Sequence, residues 1–529
     1  MAGSSPTVRS PRRLVTRSCS SAGSGNGPEA SRESRRRRPR RETDWRNAGS
    51  RLIYGRDPQV RVPSRRYVIQ GKVTAASVGS QRQNQTTLRQ HQTAPGPMPI
   101  SPVIVIPGIT ASDLHDEYEL PPEAVWTTML KRRYGRVTLH PEDQRYELRE
   151  PARVMPRGPF PLIYEDLIEE LRDGLSEDQP GPVPVFPFGY DWRMPLDWTE
   201  ERLAAFVREV IDRTLLMKHY RVDETYRANP TVSLIGHSMG GLIIAGYVES
   251  LFAGRIGSAT GGSRLVDKVV TLGTPFRGSY EAILKVATGT SELGDDSGKA
   301  RERRMARMTP ALYHLLPESV GSIASEGGMA VNFFRPDAWQ PNVVQTIEHQ
   351  VRDWDVTGAA LFRKMLDEAR AHRERISRLK LPDAGDGWLA IAGGDSRTRV
   401  GLRVARDENG FPRFDLRGAE RRNEWDSAIE GDLRDTGDGT VPLEGAIPPF
   451  LDDARVVCVT PGDFGYWEIR DRALSAAAGF HGLLPKMNML HRLILRFLLG
   501  RGDPYGNTWG RRFPGVQEWN PPLELTEKS

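Results

Sequence analysis

Cysteine is close to absent: two residues in 529, Cys19 and Cys458. Cys19 lies in an Arg- and Ser-rich stretch and Cys458 in the apolar run Val456-Val457-Cys458-Val459. A disulfide between two such places is not expected, so a disulfide-stapled secreted scaffold is excluded and the setting reads as reducing and cytoplasmic. Cys458 reads as a buried core thiol. No apolar run reaches the ~18–20 residues of a membrane span. No secretory apolar core follows the first residues. Metal-ligand clusters, a phosphate-binding loop and a dinucleotide fingerprint are missing too, so neither a metal nor another cofactor is expected.

Lysine is scarce as well, with 10 Lys among the 74 basic residues. The arginines are unevenly placed. Residues 1–97 hold 20 Lys+Arg and 5 Asp+Glu, a surplus of fifteen positive charges; with +6 for the whole chain, the remainder carries −9. A uniformly basic nucleic-acid binder is therefore a poor description of the body. The basic stretch has little periodic apolar content and is expected to be disordered. It can be read as a charge-driven binder of nucleic acid or anionic lipid, as a transit peptide, or as sequence ahead of a start at Met98. The last is favoured, because Met98 immediately precedes the first apolar strand and the Arg-over-Lys skew resembles GC-rich coding. No specific nucleic-acid partner is expected.

What the body does contain is alternation. Short apolar runs at Val103–Ile106, Val183–Phe186, Thr231–Ile235, Val269–Leu272, Leu389–Ala392 and Arg455–Val459 read as strands. Glu200–Lys218, Gly240–Phe252 and Met487–Leu499 read as helices. This is the pattern of an α/β fold, a mostly parallel sheet with helices on both faces. Stretches of about 109–182 and 280–385 interrupt it and read as caps or lids. The expected organisation is a tail over 1–97, a catalytic domain over 98–503 and a C-terminal extension over 504–529.

Gly236-His237-Ser238-Met239-Gly240 lies between the strand ending at Ile235 and the helix containing Leu242-Ile243-Ile244-Ala245. A G-x-S-x-G elbow needs that strand–turn–helix setting, which leaves the serine oxygen exposed at the sheet top. A serine hydroxyl is a weak nucleophile and needs a base oriented by a carboxylate. With the chain order Ser, acid, His, Asp438 in Gly437-Asp438-Gly439-Thr440 is the preferred acid, over Asp432, Asp435 and Glu444. Only His481 and His491 follow it. His481 precedes the last helix in a loop and is the expected base; His491 lies inside that helix. Backbone N–H groups of Met239 and Ile109, the latter in Pro107-Gly108-Ile109-Thr110, are the expected oxyanion hole.

Taken together, these segments resemble the lecithin:cholesterol acyltransferase family of α/β-hydrolases. Val103–Gly108, Gly189-Tyr190-Asp191-Trp192-Arg193, Gly236–Gly241, Thr271–Ser279, Gly437–Pro442 and His481-Gly482 carry the likeness in the right order. The resemblance implies acyl transfer through a serine ester, with an acyl lipid or ester as substrate and transient contact with a lipid surface. Water as acceptor would make a lipase or esterase, an alcohol an O-acyltransferase. Asp191, Trp192 and Arg193 also have a purely structural reading, as an ion pair and a packed ring holding a cap to the sheet. Leu312–Leu316 could line an acyl pocket or pack the cap. The competing function is a non-catalytic hydrolase scaffold with a basic tail for nucleic acid or membrane. A serine peptidase ranks below both.

Overall fold

The computed structural model describes residues 99–524 except 119, 128–132, 139–152, 257–264, 290–299, 319–322, 326–330, 353–354, 416–419, 422–436, 469, 472–478 and 504. The basic stretch 1–97, Met98 and the rival acids Asp432 and Asp435 lie outside the described residues.

Six apolar runs build one sheet, joined by a seventh short strand. In chain order these are β1 (Val103–Ile106), β2 (Val185–Pro187), β3 (Val232–His237), β4 (Val266–Leu272), β5 (Trp388–Gly393), β6 (Val457–Val459) and β7 (Arg511–Arg512). Their spatial order is β7-β6-β5-β4-β3-β1-β2. All neighbours run parallel except β7, which is antiparallel to β6. Every residue of β1, β3, β5 and β6 is buried. Strands covered on both faces must be apolar throughout, which is why these runs are continuous rather than alternating. Each buried Val or Ile there contributes roughly 1.5–3 kcal/mol.

The expected strands all appear, Val103–Ile106 with the expected ends and the other five with shifted ones. Val183–Phe186 becomes β2, beginning after Pro184, which has no N–H to donate. The helix expected at Glu200–Lys218 spans Leu196–Leu215, starting one turn earlier behind Pro195. β7 carries no apolar signal; its Arg511 pairs with Asp463 while the backbone adds to the sheet edge.

Parallel strands need right-handed crossovers, so the direction of travel decides the face each helix covers. The β1-to-β2 crossover carries the helix Pro161–Ser176, which packs with Asn488–Leu499. Leu196–Leu215 and Met239–Phe252 travel the other way, cover the opposite face and pack on one another. Pro161 suits the first helical position, and Tyr164, Leu167, Ile168, Leu171 and Leu175 form its buried stripe.

The stretch after β1 forms a three-stranded antiparallel sheet from Ser112–Asp116, Glu123–Trp126 and Val154–Pro159 before reaching Pro161–Ser176. Between β4 and β5 lie helices including Tyr280–Thr288, Pro341–Val351 and Gly358–Ser377, the last packed on Met239–Phe252. A hairpin of Leu402–Arg406 and Pro412–Asp415 follows β5 and pairs in parallel with Ile323–Ser325. No described helix is long and apolar enough to cross a membrane.

Candidate active site

The C-terminal ends of β1, β3 and β4 deliver the first components. β3 ends at His237, and the chain turns through Ser238 with φ 55° and ψ −126° before the helix begins at Met239. That conformation is costly for a side-chain-bearing residue and holds only where the surroundings enforce it. Here the Ser238 N–H donates to the Leu272 carbonyl at 2.8 Å, and the Gly241 N–H donates to the Ser238 carbonyl at 3.0 Å. The flanking glycines are required by closeness. A Cβ at Gly240 would stand 2.4 Å from the Ile106 oxygen, and one at Gly236 2.6 Å from the Gly241 nitrogen.

His481 heads the short turn ahead of the last helix. Its Nε2 lies 2.9 Å from Ser238 Oγ and its Nδ1 2.6 Å from Asp438 Oδ2. Its backbone N–H donates to the Asp438 carbonyl at 2.9 Å. Asp438 is buried, and its second carboxylate oxygen accepts from the N–H groups of Thr440 at 3.0 Å and Val441 at 2.7 Å. The Asp-Gly turn thus aims the carboxylate: Gly439, at φ 98°, reverses the chain and brings those donors round. With Asp438 accepting at Nδ1, Nε2 is the free lone pair facing the serine hydroxyl.

Ser238, Asp438 and His481 are therefore brought together from positions far apart in the chain. The rivals are not. Glu444 is exposed on the next turn. His491 is buried in its helix with Nε2 on the Pro485 carbonyl at 2.7 Å, and burial lowers its pKa. Met239 is the first residue of its helix, so its N–H has no partner within that helix. Ile109 follows Gly108 in the loop after β1. Gly108 itself approaches Ser238 so closely that a Cβ would stand 3.0 Å from the serine Cβ.

The Tyr190–Arg193 segment supports that loop. The Tyr190 hydroxyl donates to the Pro107 carbonyl at 2.9 Å. Asp191 and Arg193 form a buried ion pair at 2.6 Å, and Trp192 packs against Trp126 with ring centroids 4.8 Å apart. Leu312, Leu315 and Leu316 are buried. Cys458 is a buried free thiol whose pKa burial pushes up.

Two residues at this site had no role assigned from sequence. His237 Nδ1 lies 2.8 Å from the Tyr164 hydroxyl and its Nε2 3.0 Å from the His481 carbonyl. The Tyr164 hydroxyl also accepts from the Gly108 N–H at 3.0 Å. Burial first, and then the neighbouring His481, push the His237 pKa down to about 3. Adjacency to Ser238 was the one available signal for His237; nothing local marked Tyr164.

A cluster of ligand-type side chains lies elsewhere. Asp197, Glu200 and His372 bring ligand atoms within 4.8 Å of one another, a cluster invisible in the sequence. Arg375 already supplies positive charge there, 2.8 Å from both Asp197 Oδ1 and Glu200 Oε1. Burial opposes its charge, but Glu200 and Asp197 more than offset this and hold its pKa above the ordinary value. The donor set is thus matched to a guanidinium, and a cation would have to displace it.

This sheet and its strand–elbow–helix centre have the architecture of an α/β-hydrolase. Within the class the chain is like the lecithin:cholesterol acyltransferase family, whose sequence model matches residues 162–377. Among solved structures, the Tle4-Tli4 complex contains a chain similar at 15% identity, over 76% of this chain and 98% of that one, with a TM-score of 0.51. At that identity the likeness is one of fold. Bacillus licheniformis lipase BlEst2 in mature form matches at 13% identity over 76% of this chain and 93% of its own, with a TM-score of 0.31. Staphylococcus hyicus lipase matches at 17% identity over 51% and 71%, with a TM-score of 0.23. No curated protein matches the sequence.

Proposed function

We propose that this protein is a serine-dependent acyl hydrolase or acyltransferase acting on an acyl lipid or a related ester through a covalent acyl-enzyme. The observation that carries the reading is one uninterrupted line of hydrogen bonds, Ser238 Oγ to His481 Nε2 at 2.9 Å and His481 Nδ1 to Asp438 Oδ2 at 2.6 Å, ending on a strained elbow serine. His481 takes the hydroxyl proton as Ser238 attacks the ester carbonyl. Asp438 holds the tautomer and stabilises the imidazolium. The N–H groups of Ile109 and Met239 face the oxygen on which negative charge develops. His481 then gives its proton to the leaving alcohol, and the acyl group stays on Ser238. Water or a second alcohol, activated by the same imidazole, removes it. Likeness to this family favours a lipid acyl donor, and the cysteine count favours the cytoplasm as the compartment.

The test is intact-mass analysis of the protein quenched during turnover of a p-nitrophenyl acyl ester. The expected result is one acyl adduct, on the peptide containing Ser238, absent from Ser238→Ala. Turnover without an adduct, or with an adduct elsewhere, overturns the assignment. Product analysis with labelled phospholipid, with and without an added alcohol, then separates hydrolysis from transfer.

A further inference from the structure

The hydrogen bonds around His237 have only one consistent direction. The His481 carbonyl can only accept, so His237 Nε2 carries the hydrogen and donates to it at 3.0 Å. Buried and neutral, the ring then has a single acceptor, Nδ1, and the Tyr164 hydroxyl 2.8 Å away must donate to it. The same hydroxyl oxygen accepts from the Gly108 N–H at 3.0 Å. The chain runs from the Gly108 N–H through the Tyr164 hydroxyl and the His237 ring to the His481 carbonyl, the two interior groups each both giving and receiving.

This chain touches or adjoins three components of the proposed reaction. Gly108 is the residue before Ile109, His237 the residue before Ser238, and His481 the base itself. Those parts come from three separate segments: the loop after β1, the end of β3 and the turn before the last helix. Tyr164 comes from a fourth, the first turn of Pro161–Ser176. The Ser238–His481 bond is thereby supported by a second tie between the same two loops, on the backbone of the base rather than its ring. The His237 and His481 rings lie 5.0 Å apart. A charged imidazole at that distance would oppose the imidazolium that His481 becomes, so the tie serves catalysis only while His237 is neutral.

We infer that Tyr164 and His237 are positioning residues, a buried relay that holds the oxyanion loop, the nucleophile elbow and the base in one register. The inference rests on the serine chemistry proposed above. Neither residue touches the reacting atoms; their effect passes through Ile109, Ser238 and His481. Loss of positioning at a site that otherwise binds substrate normally lowers kcat and spares KM.

The test compares Tyr164→Phe, His237→Gln and the double variant in p-nitrophenyl ester hydrolysis, with thermal unfolding as a control. Tyr164→Phe keeps the ring and removes one oxygen. Its kcat should fall about ten-fold, the order expected for two buried hydrogen bonds, with KM unchanged. Because both residues belong to one chain, the double variant should lose no more than the worse single variant. Unchanged kcat in Tyr164→Phe, or losses that multiply, would overturn the inference. A second measurement needs no substitution: histidine-selective ¹⁵N NMR of the whole protein should show His237 as the Nε2–H tautomer. An Nδ1–H tautomer there would also overturn it. If the unaltered protein shows the expected tautomer but turns over no ester and forms no acyl adduct, the serine chemistry fails while the hydrogen-bond relay stands.

Discussion

Two regions of this molecule set a buried histidine against a buried carboxylate. At the sheet top His481 meets Asp438 at 2.6 Å; His372, on a helix of the second insertion, meets Glu200 at 2.8 Å. The pairs are nearly equal in distance and burial, and they differ in what else is attached. Asp438 spends its remaining oxygen on two backbone N–H groups, neutral donors that orient it and leave its charge for the imidazole. Glu200 shares both oxygens with Arg375 at 2.8 and 2.9 Å, so its charge is answered by a guanidinium. The other nitrogen of His481 faces a serine oxygen at 2.9 Å, whereas the ring beside His372 is His314, edge-on at 4.9 Å. A histidine–carboxylate pair is thus a common building block. In the proposed chemistry it serves as a proton shuttle where the far nitrogen meets a nucleophile and no second cation neutralises the acid.

The sharpest break of that contrast is at the nucleophile. Ser238→Ala should abolish ester turnover by on the order of 10⁶-fold while leaving the melting temperature near its original value. His481→Ala should be almost as damaging, because the members of such a unit fail together, and His491→Ala should cost only stability. An inactive His491→Ala with an active His481→Ala would reverse the assignment.

Asp438→Asn comes next, with a loss of roughly 10⁴-fold by analogy with the serine protease triad. The amide keeps the shape and disfavours the Nδ1–H tautomer. At the other pair the expectation inverts. Arg375→Ala should leave Glu200 buried without its main compensating charge and destabilise the fold by about 3–5 kcal/mol. Turnover per folded molecule should not change, and chemical denaturation beside active-site titration separates the two. If Arg375→Ala lowered kcat without lowering stability, the division between the regions would collapse.

A smaller effect is common to both regions. His237 and His314 are buried with depressed pKa values, by desolvation first in each case, His237 to about 3 and His314 well below the ordinary value. The unfolded chain takes up protons at these positions as pH falls below about 6.5, while the folded chain does not. Stability should therefore fall on acidification, by about 1.4 kcal/mol per pH unit for each such histidine until its folded pKa is reached. Replacing either by Gln should flatten the slope of unfolding free energy against pH between 6.5 and 4.5; an unchanged slope would show that the ring already binds a proton in the fold. The smallest effect is expected from starting the chain at Met98. Ester turnover should be retained, since every residue of the proposed chemistry lies after β1 begins, and loss of active protein would give residues 1–97 a part in it.

The strands were legible because burial on both faces demands unbroken apolar runs, a strictly local signal. The elbow was legible for a related reason: Gly236 and Gly240 mark a close approach of strand, helix and neighbouring loop that no side chain survives. Chain order then narrowed the expected base to His481 and His491, and the loop position ahead of the last helix favoured His481. β7 was not legible, since Arg511 and Arg512 join the sheet through backbone bonds alone. The hairpin after β5 was missed because Leu402 and Val404 alternate over too short a span to stand out.

From its amino-acid sequence alone, this protein was determined to be a mostly parallel α/β fold with an elbow serine, an acid in an Asp-Gly turn and a histidine ahead of the last helix. Only the tertiary structure decided which buried groups share a proton network. Tyr164 meets His237 across 73 positions, and Glu200 meets His372 across 172. Such pairs leave no periodicity or spacing, because a hydrogen bond depends on where two elements pack, and that packing is set by the whole core at once.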